Sequence, residues 1–237
     1  MILRRCLSIM LSASLALASL CACAQRGQAA APTWSPRLEL GSLAALPARL
    51  ERPFQEPVDL VKGDAHVTAG NCAALLAARA QGASPAGDRD LAIARDEGAK
   101  CIALAQLSRA RAPAAESLAG FDLRTATAAQ LPAMLATPFG KRDDRAARAA
   151  EDRGQTLKDY KPEVAVQFAS GMLVLKGDTW ECRVEVLARG DFDGSGRDEM
   201  LLAAHDQATE GRFESTRLLL VARRAGGGAL VTLERLQ

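Results

Sequence analysis

Aromatic side chains are scarce in this sequence: six Phe, two Trp and one Tyr among 237 residues. Stacking platforms for bases or sugars are correspondingly few. An excess of one charge is missing too. Thirty Lys and Arg against 28 Asp and Glu leave a formal net charge of +2, without the clustered basic surplus that nucleic acid selects. Only two histidines occur, His66 and His205, far apart in the chain. No Gly-x-Ser-x-Gly elbow accompanies them, and no Cys/His spacing suits zinc. Neither a P-loop nor a dinucleotide fingerprint is present. Beyond the N-terminus no stretch nears the ~20 apolar residues of a membrane-spanning helix.

The first residues carry an address. Arg4 and Arg5 form a short positive segment, and Leu7 to Leu20 is apolar and uncharged. A run of roughly 14 such residues suits the core of a secretion signal and is too short to span a bilayer. Two processing routes compete. Ala22-Cys23-Ala24 fits the small-x-small rule, with cleavage before Gln25. Leu20-Cys21-Ala22-Cys23 resembles a bacterial lipobox, which implies lipidation of Cys23 at the head of the mature chain. Ala24 follows that Cys rather than an Asp, so the resemblance implies the outer membrane rather than retention further in. Residues 24–37 read as a flexible tether. Either route places the protein outside the cytoplasm, in the periplasm or on the outer membrane, with a membrane contact through lipid in the second case.

Export brings an oxidising compartment, so suitably placed cysteines are expected to pair. Cys72 opens an Ala/Leu-rich helical run, a Gly-Ala-Ser-Pro-Ala-Gly break follows, and a long helical pattern spans Asp88 to about Arg111. Folding the break into a helical hairpin brings Cys72 and Cys101 to similar heights. A bridge there would add on the order of 3 kcal/mol. Cys182 is left unpaired, packed within a sheet.

The chain divides in character. Residues 38–160 read as mainly helical, with Lys141 to Arg153 an exposed helix laced with opposite charges. Residues 161–237 read as an antiparallel meander of short strands separated by turns. The fold class is therefore α+β. Leu46-Pro-Ala-Arg-Leu-Glu-Arg-Pro-Phe54 is echoed by Leu131-Pro-Ala-Met-Leu-Ala-Thr-Pro-Phe139. A duplicated unit and a coincidence of composition both account for it.

One motif carries chemistry. In Asp191-Phe-Asp-Gly-Ser-Gly-Arg-Asp-Glu199, Asp191, Asp193 and Ser195 fall at loop positions 1, 3 and 5. Gly196 permits the sharp turn, the Arg197 carbonyl falls at 7, and Glu199 at 9. Calcium takes six to eight oxygen ligands from such closely turned backbone. An EF-hand would need a bidentate acid at position 12, where Leu202 stands, so that motif is excluded. The segment resembles the short calcium loops of FG-GAP and VCBS-type repeats, and Met200-Leu-Leu202 supplies the apolar strand that follows them. Ser at position 5 and Glu at position 9 depart from the family. A single copy does not imply a propeller. The resemblance implies a structural calcium ion held by Asp191, Asp193, Ser195, Arg197 and Glu199. Four acids within nine residues, Asp198 included, would repel one another without a cation. Arg189-Gly190-Asp191 spells an adhesion tripeptide, read as accidental because Asp191 is committed to the ion.

No residue is assigned a catalytic role. The expectation is a non-catalytic binding or structural module of the cell envelope, with an envelope protein as its partner. The rival is a small periplasmic hydrolase using His66 or His205 with nearby carboxylates.

Overall fold

A computed structural model describes residues 31–236. The signal segment, Cys23 and residues 24–30 lie outside the described residues. In chain order the elements are β1 (Thr33–Trp34), α1 (Leu46–Glu51), β2 (Val58–Lys62), β3 (Ala65–Ala69), α2 (Cys72–Ala80), β4 (Ser84–Pro85) and α3 (Asp88–Leu107). Short 3-10 turns lead to α4 (Lys141–Asp152) and α5 (Leu157–Tyr160). Then follow β5 (Ala165–Ala169), β6 (Met172–Lys176), β7 (Trp180–Gly190), β8 (Glu199–Ala208), β9 (Glu214–Arg223) and β10 (Leu230–Arg235).

Strands β5 to β10 form an antiparallel meander in sequence order, and β1 pairs with β7. The α+β class and the C-terminal meander are thus as the sequence indicates. The arrangement of layers is a further finding. Met200, Leu202 and Ala204 of β8 face one hydrophobic cluster, whereas Leu201 and Ala203 face another. On β9, Leu219 and Val221 oppose Leu218 and Leu220 in the same way. The sheet is covered on both sides, which is why its central strands read as nearly continuous apolar runs. Residues 38–107 cover one face and residues 118–164 the other. A bulge between Val186 and Ala188 breaks the β7–β8 register, and it puts Leu187 and Ala188 together on the α3 side.

One sequence expectation needs correction, and two gain detail. The tether ends sooner than residue 37. Thr33 and Trp34 pair with Arg189 and Ala188, and the Trp34 indole N–H donates to the Leu40 carbonyl at 2.5 Å. Residues 38–160 are mainly helical as expected, and β3, β2 and β4 add a small sheet in that order. Gly63 at φ +58 supplies the left-handed turn of its β2–β3 hairpin. Finally, the two echoed segments differ in conformation. The first is helix α1, with Leu46 in the cluster beneath α3, and the second is a 3-10 turn with Leu131, Met134 and Leu135 in the opposite cluster.

The helical hairpin of α2 and α3 is present and is stapled by Cys72–Cys101, with Cα atoms 5.0 Å apart. Asn71 caps α2 by accepting the Ala74 N–H at 2.8 Å. Cys182 is a buried free thiol in β7, as expected, and burial pushes its pKa well above the ordinary range.

Candidate metal centre

The loop between β7 and β8 folds because its two inner glycines adopt backbone that other residues resist. Gly194 and Gly196 sit at φ +79 and +80. This curl aims backbone N–H groups inward. Asp191 Oδ1 accepts from Gly194 at 2.8 Å and Oδ2 from Gly196 at 3.1 Å. Asp193 Oδ1 accepts from Ser195 N–H at 2.8 Å. Glu199 Oε2 accepts from Phe192 at 2.9 Å and Asp193 at 3.3 Å.

Ligand atoms of Asp191, Asp193 and Glu199 all lie within 4.8 Å of one another. Asp191 is 3% exposed and Glu199 fully buried. Glu199 Oε1 has no hydrogen-bond partner, the one such buried side-chain atom among the described residues. A buried carboxylate oxygen left unpaired costs about 1–3 kcal/mol. Burial pushes Glu199 up to about 7, aided by the charge of Asp193 and opposed by the Phe192 and Asp193 N–H groups. Asp193 is held below the ordinary range, chiefly by the Ser195 hydroxyl. Neighbouring acids with opposed shifts are what a cation would equalise.

The donor set suits a hard cation. Each carboxylate retains lone pairs beyond those used by N–H groups, and all the donors are oxygen. Ser195 is exposed, with its Oγ accepting the Arg197 N–H at 3.4 Å, and the Arg197 side chain is exposed as well. The structure therefore brings three of the five expected ligands together through their carboxylates. Asp198 departs from the four-acid expectation. Its Oδ1 accepts Ser117 Oγ–H at 2.7 Å and Leu118 N–H at 2.8 Å, so it points at another segment and is not among the converging ligand atoms.

That segment is the crossover from α3 to the opposite face of the sheet. Arg111 and Asp191 exchange two backbone hydrogen bonds, Gly196 O accepts from Ala114 and Ala115, and Asp198 N–H donates to Ala115 O. The acidic loop is a clasp on the crossover. The sequence carries no signal for it, because the partners are some 80 residues apart and act through backbone.

The histidines are separated in role. His66 is exposed on β3, opposite Val61. His205 on β8 stands with Nδ1 3.1 Å from Thr216 Oγ1 and Nε2 3.2 Å from Glu185 Oε1. It borders a polar cavity of about 190 Å³ with Arg95, Arg183 and Glu214. Burial works against ionisation of Glu185, but His205 and Arg37 outweigh it and hold its pKa low. Asp191, in the Arg-Gly-Asp tripeptide, is buried and bonded within its loop. No family model matches the chain, and no curated protein or solved structure matches it either.

Proposed function

We propose that this chain is an exported envelope module without catalytic activity, anchored through lipid at Cys23 and presenting a fold whose strand junction is organised by calcium. One observation carries the metal assignment: the buried, unpartnered Glu199 Oε1 beside Asp193 and Asp191. A divalent ion would be held by those three carboxylates, with Ser195 and the Arg197 carbonyl completing the oxygen set on the solvent side. It would neutralise charge that burial otherwise penalises. Its role is mechanical, because the same loop clasps residues 111–118 and so joins the two coverings of the sheet. The envelope partner expected from the sequence would be met by this rigidified surface.

Thermal melting in calcium and in chelator tests the reading. Extracellular modules bind at about 10⁻⁴–10⁻³ M, so excess calcium at about 10 mM stabilises by about 1.4–2.7 kcal/mol. The melting temperature should rise by about 3–10 °C, and trypsin cleavage after Arg111 should slow. The pH dependence follows from Glu199. Its folded pKa, raised from 4.5 to about 7, favours the metal-free fold below the unfolded value, and that stability is lost as pH rises through about 7. The calcium effect should therefore widen above neutrality. Identical melting with and without chelator would end the assignment.

A second reading has an observation of its own. The Thr216–His205–Glu185 chain beside a polar cavity is the spacing of a nucleophile, base and orienting acid. In this reading His205→Ala abolishes an esterase activity that the native chain shows. An inert native chain, or activity indifferent to His205→Ala, removes it.

A further inference from the structure

Helix α4 carries its charge in an unusual distribution. Lys141 and Arg142 share its first turn with Asp143 and Asp144, so bases stand beside acids at the end where the aligned peptide dipoles favour acids. Three of its four acids are engaged by the fold. Asp143 accepts the Phe139 N–H, Asp144 pairs with Arg235, and Glu151 accepts the N–H groups of Met134 and Thr232. A helix face that is merely solvated usually sets acids three or four residues from its bases. Here Asp144, four before Arg148, is turned to Arg235 instead, which leaves Asp152, four after Arg148, as the one acid at that spacing on the face. Lys141, Arg142, Arg145 and Arg148 are left exposed, with no ion-pair partner among the described residues. At about 100° per residue the four fall within an arc of about 120°, away from the buried Ala147 and Ala150. Arg142, Arg145 and Arg148 follow one another at three-residue spacing, where like charges repel.

We propose that this face docks on the phosphate headgroups of an anionic lipid surface. A sheet of phosphates relieves the repulsion along the whole arc at once, and the guanidinium fork matches two phosphate oxygens. Only Ala149 and Asp152 share the exposed arc, so four bases there face a single acid. With no bulky apolar side chain to insert, the helix rests on the headgroups and binding is electrostatic. With no aromatic residue on the arc, bases have nothing to stack on. The inference is independent of the metal centre, since α4 makes no contact that the acidic loop requires.

The test is cosedimentation with vesicles, using the exported chain carrying Cys23→Ser so that no lipid of its own contributes. Binding is expected to phosphatidylcholine vesicles containing phosphatidylglycerol, but not to phosphatidylcholine alone, and it should vanish at high salt. The variant Arg142→Gln/Arg145→Gln/Arg148→Gln should lower the partition coefficient by roughly 100-fold, on the usual contribution of each cation near such a surface. Its melting temperature should be unchanged, because the packing face is Ala147 and Ala150. Should the triple variant not fold, single Arg145→Gln and Arg148→Gln changes should each cost roughly fivefold. Equal binding to both vesicles, binding to neither, or variants that bind like the native chain would overturn the proposal. Binding to neither would leave an acidic protein as the occupant to seek.

Discussion

Replacing Asp206 by Ala is expected to cost about 3–5 kcal/mol of folding stability. Asp206 and Arg217 are 2% and 1% exposed and lie diagonally on adjacent strands β8 and β9. Arg217 Nε donates to Asp206 Oδ2 at 2.5 Å and Nη2 to Oδ1 at 2.7 Å. Thr137 and Ser215 hydroxyls donate to the same carboxylate at 2.8 and 3.1 Å. The guanidinium also donates to the carbonyls of Met134 and Leu135. Burial works against its charge, but Asp206 outweighs that and raises its pKa further. The pair therefore rivets the 133–137 turn to the sheet. Removing the acid strands a buried cation among apolar neighbours. Adding Arg217→Met should recover part of the loss, because a missing pair costs less than a broken one. Urea unfolding of the single and double variants measures both quantities. A loss below about 1 kcal/mol for Asp206→Ala would mean that the pair behaves as a solvated one.

The second large effect lies on the other face. Cys72 and Cys101, 3% and 0% exposed, close a loop with a sequence separation of 29. Replacing both by Ser should cost about 3–4 kcal/mol through the freed unfolded chain, lowering the melting temperature by about 6–16 °C. Reduction of the native protein should reproduce the shift. The disulfide and the ion pair lie on opposite sides of the sheet and share no partner, so their effects should add within about 0.5 kcal/mol. A clear excess over the sum would show that the two coverings unfold as one unit.

Local signals were readable in the sequence, and long-range ones were not. The strands from β5 to β10 announced themselves because apolar runs alternate there with Gly- and Asp-rich turns, and the Cys72–Cys101 hairpin followed from a break between two helical patterns. The clustering of Asp191, Asp193 and Glu199 is encoded within nine residues, with glycines where φ must be positive. Hidden from sequence were features made by distant segments. Thr33–Trp34 looks like linker until β7 offers it an edge. Strands β2 and β3, by contrast, carry a local hairpin signal of their own, Val58, Val61, Val67 and Thr68 about Gly63-Asp64, which the helical patterns around them outweigh in a coarse reading. Asp198 resembles a ligand, and only Ser117 and Leu118, brought up by the crossover, show that its oxygen is already used. Asp206 and Arg217 look like ordinary surface charges on strands. They are buried because the meander is covered on both faces, which periodicity in any one strand does not reveal.

That double covering explains why a metal at one corner should matter. The chain leaves the α3 side through residues 108–117 and enters the opposite cluster at Leu118, and the acidic loop holds that passage by backbone hydrogen bonds on both sides. An ion that stiffens the loop stiffens the crossover that joins the two coverings along the chain.

Calorimetric titration with calcium puts this directly to measurement. The native chain should bind about one ion per molecule in the range usual for extracellular modules. Asp193→Ala should abolish the heat, and Glu199→Gln should do the same while making the metal-free protein more stable above neutral pH, since the buried acid no longer has to ionise. A native chain that takes up no calcium, or an Asp193→Ala chain that binds it unchanged, would contradict the account.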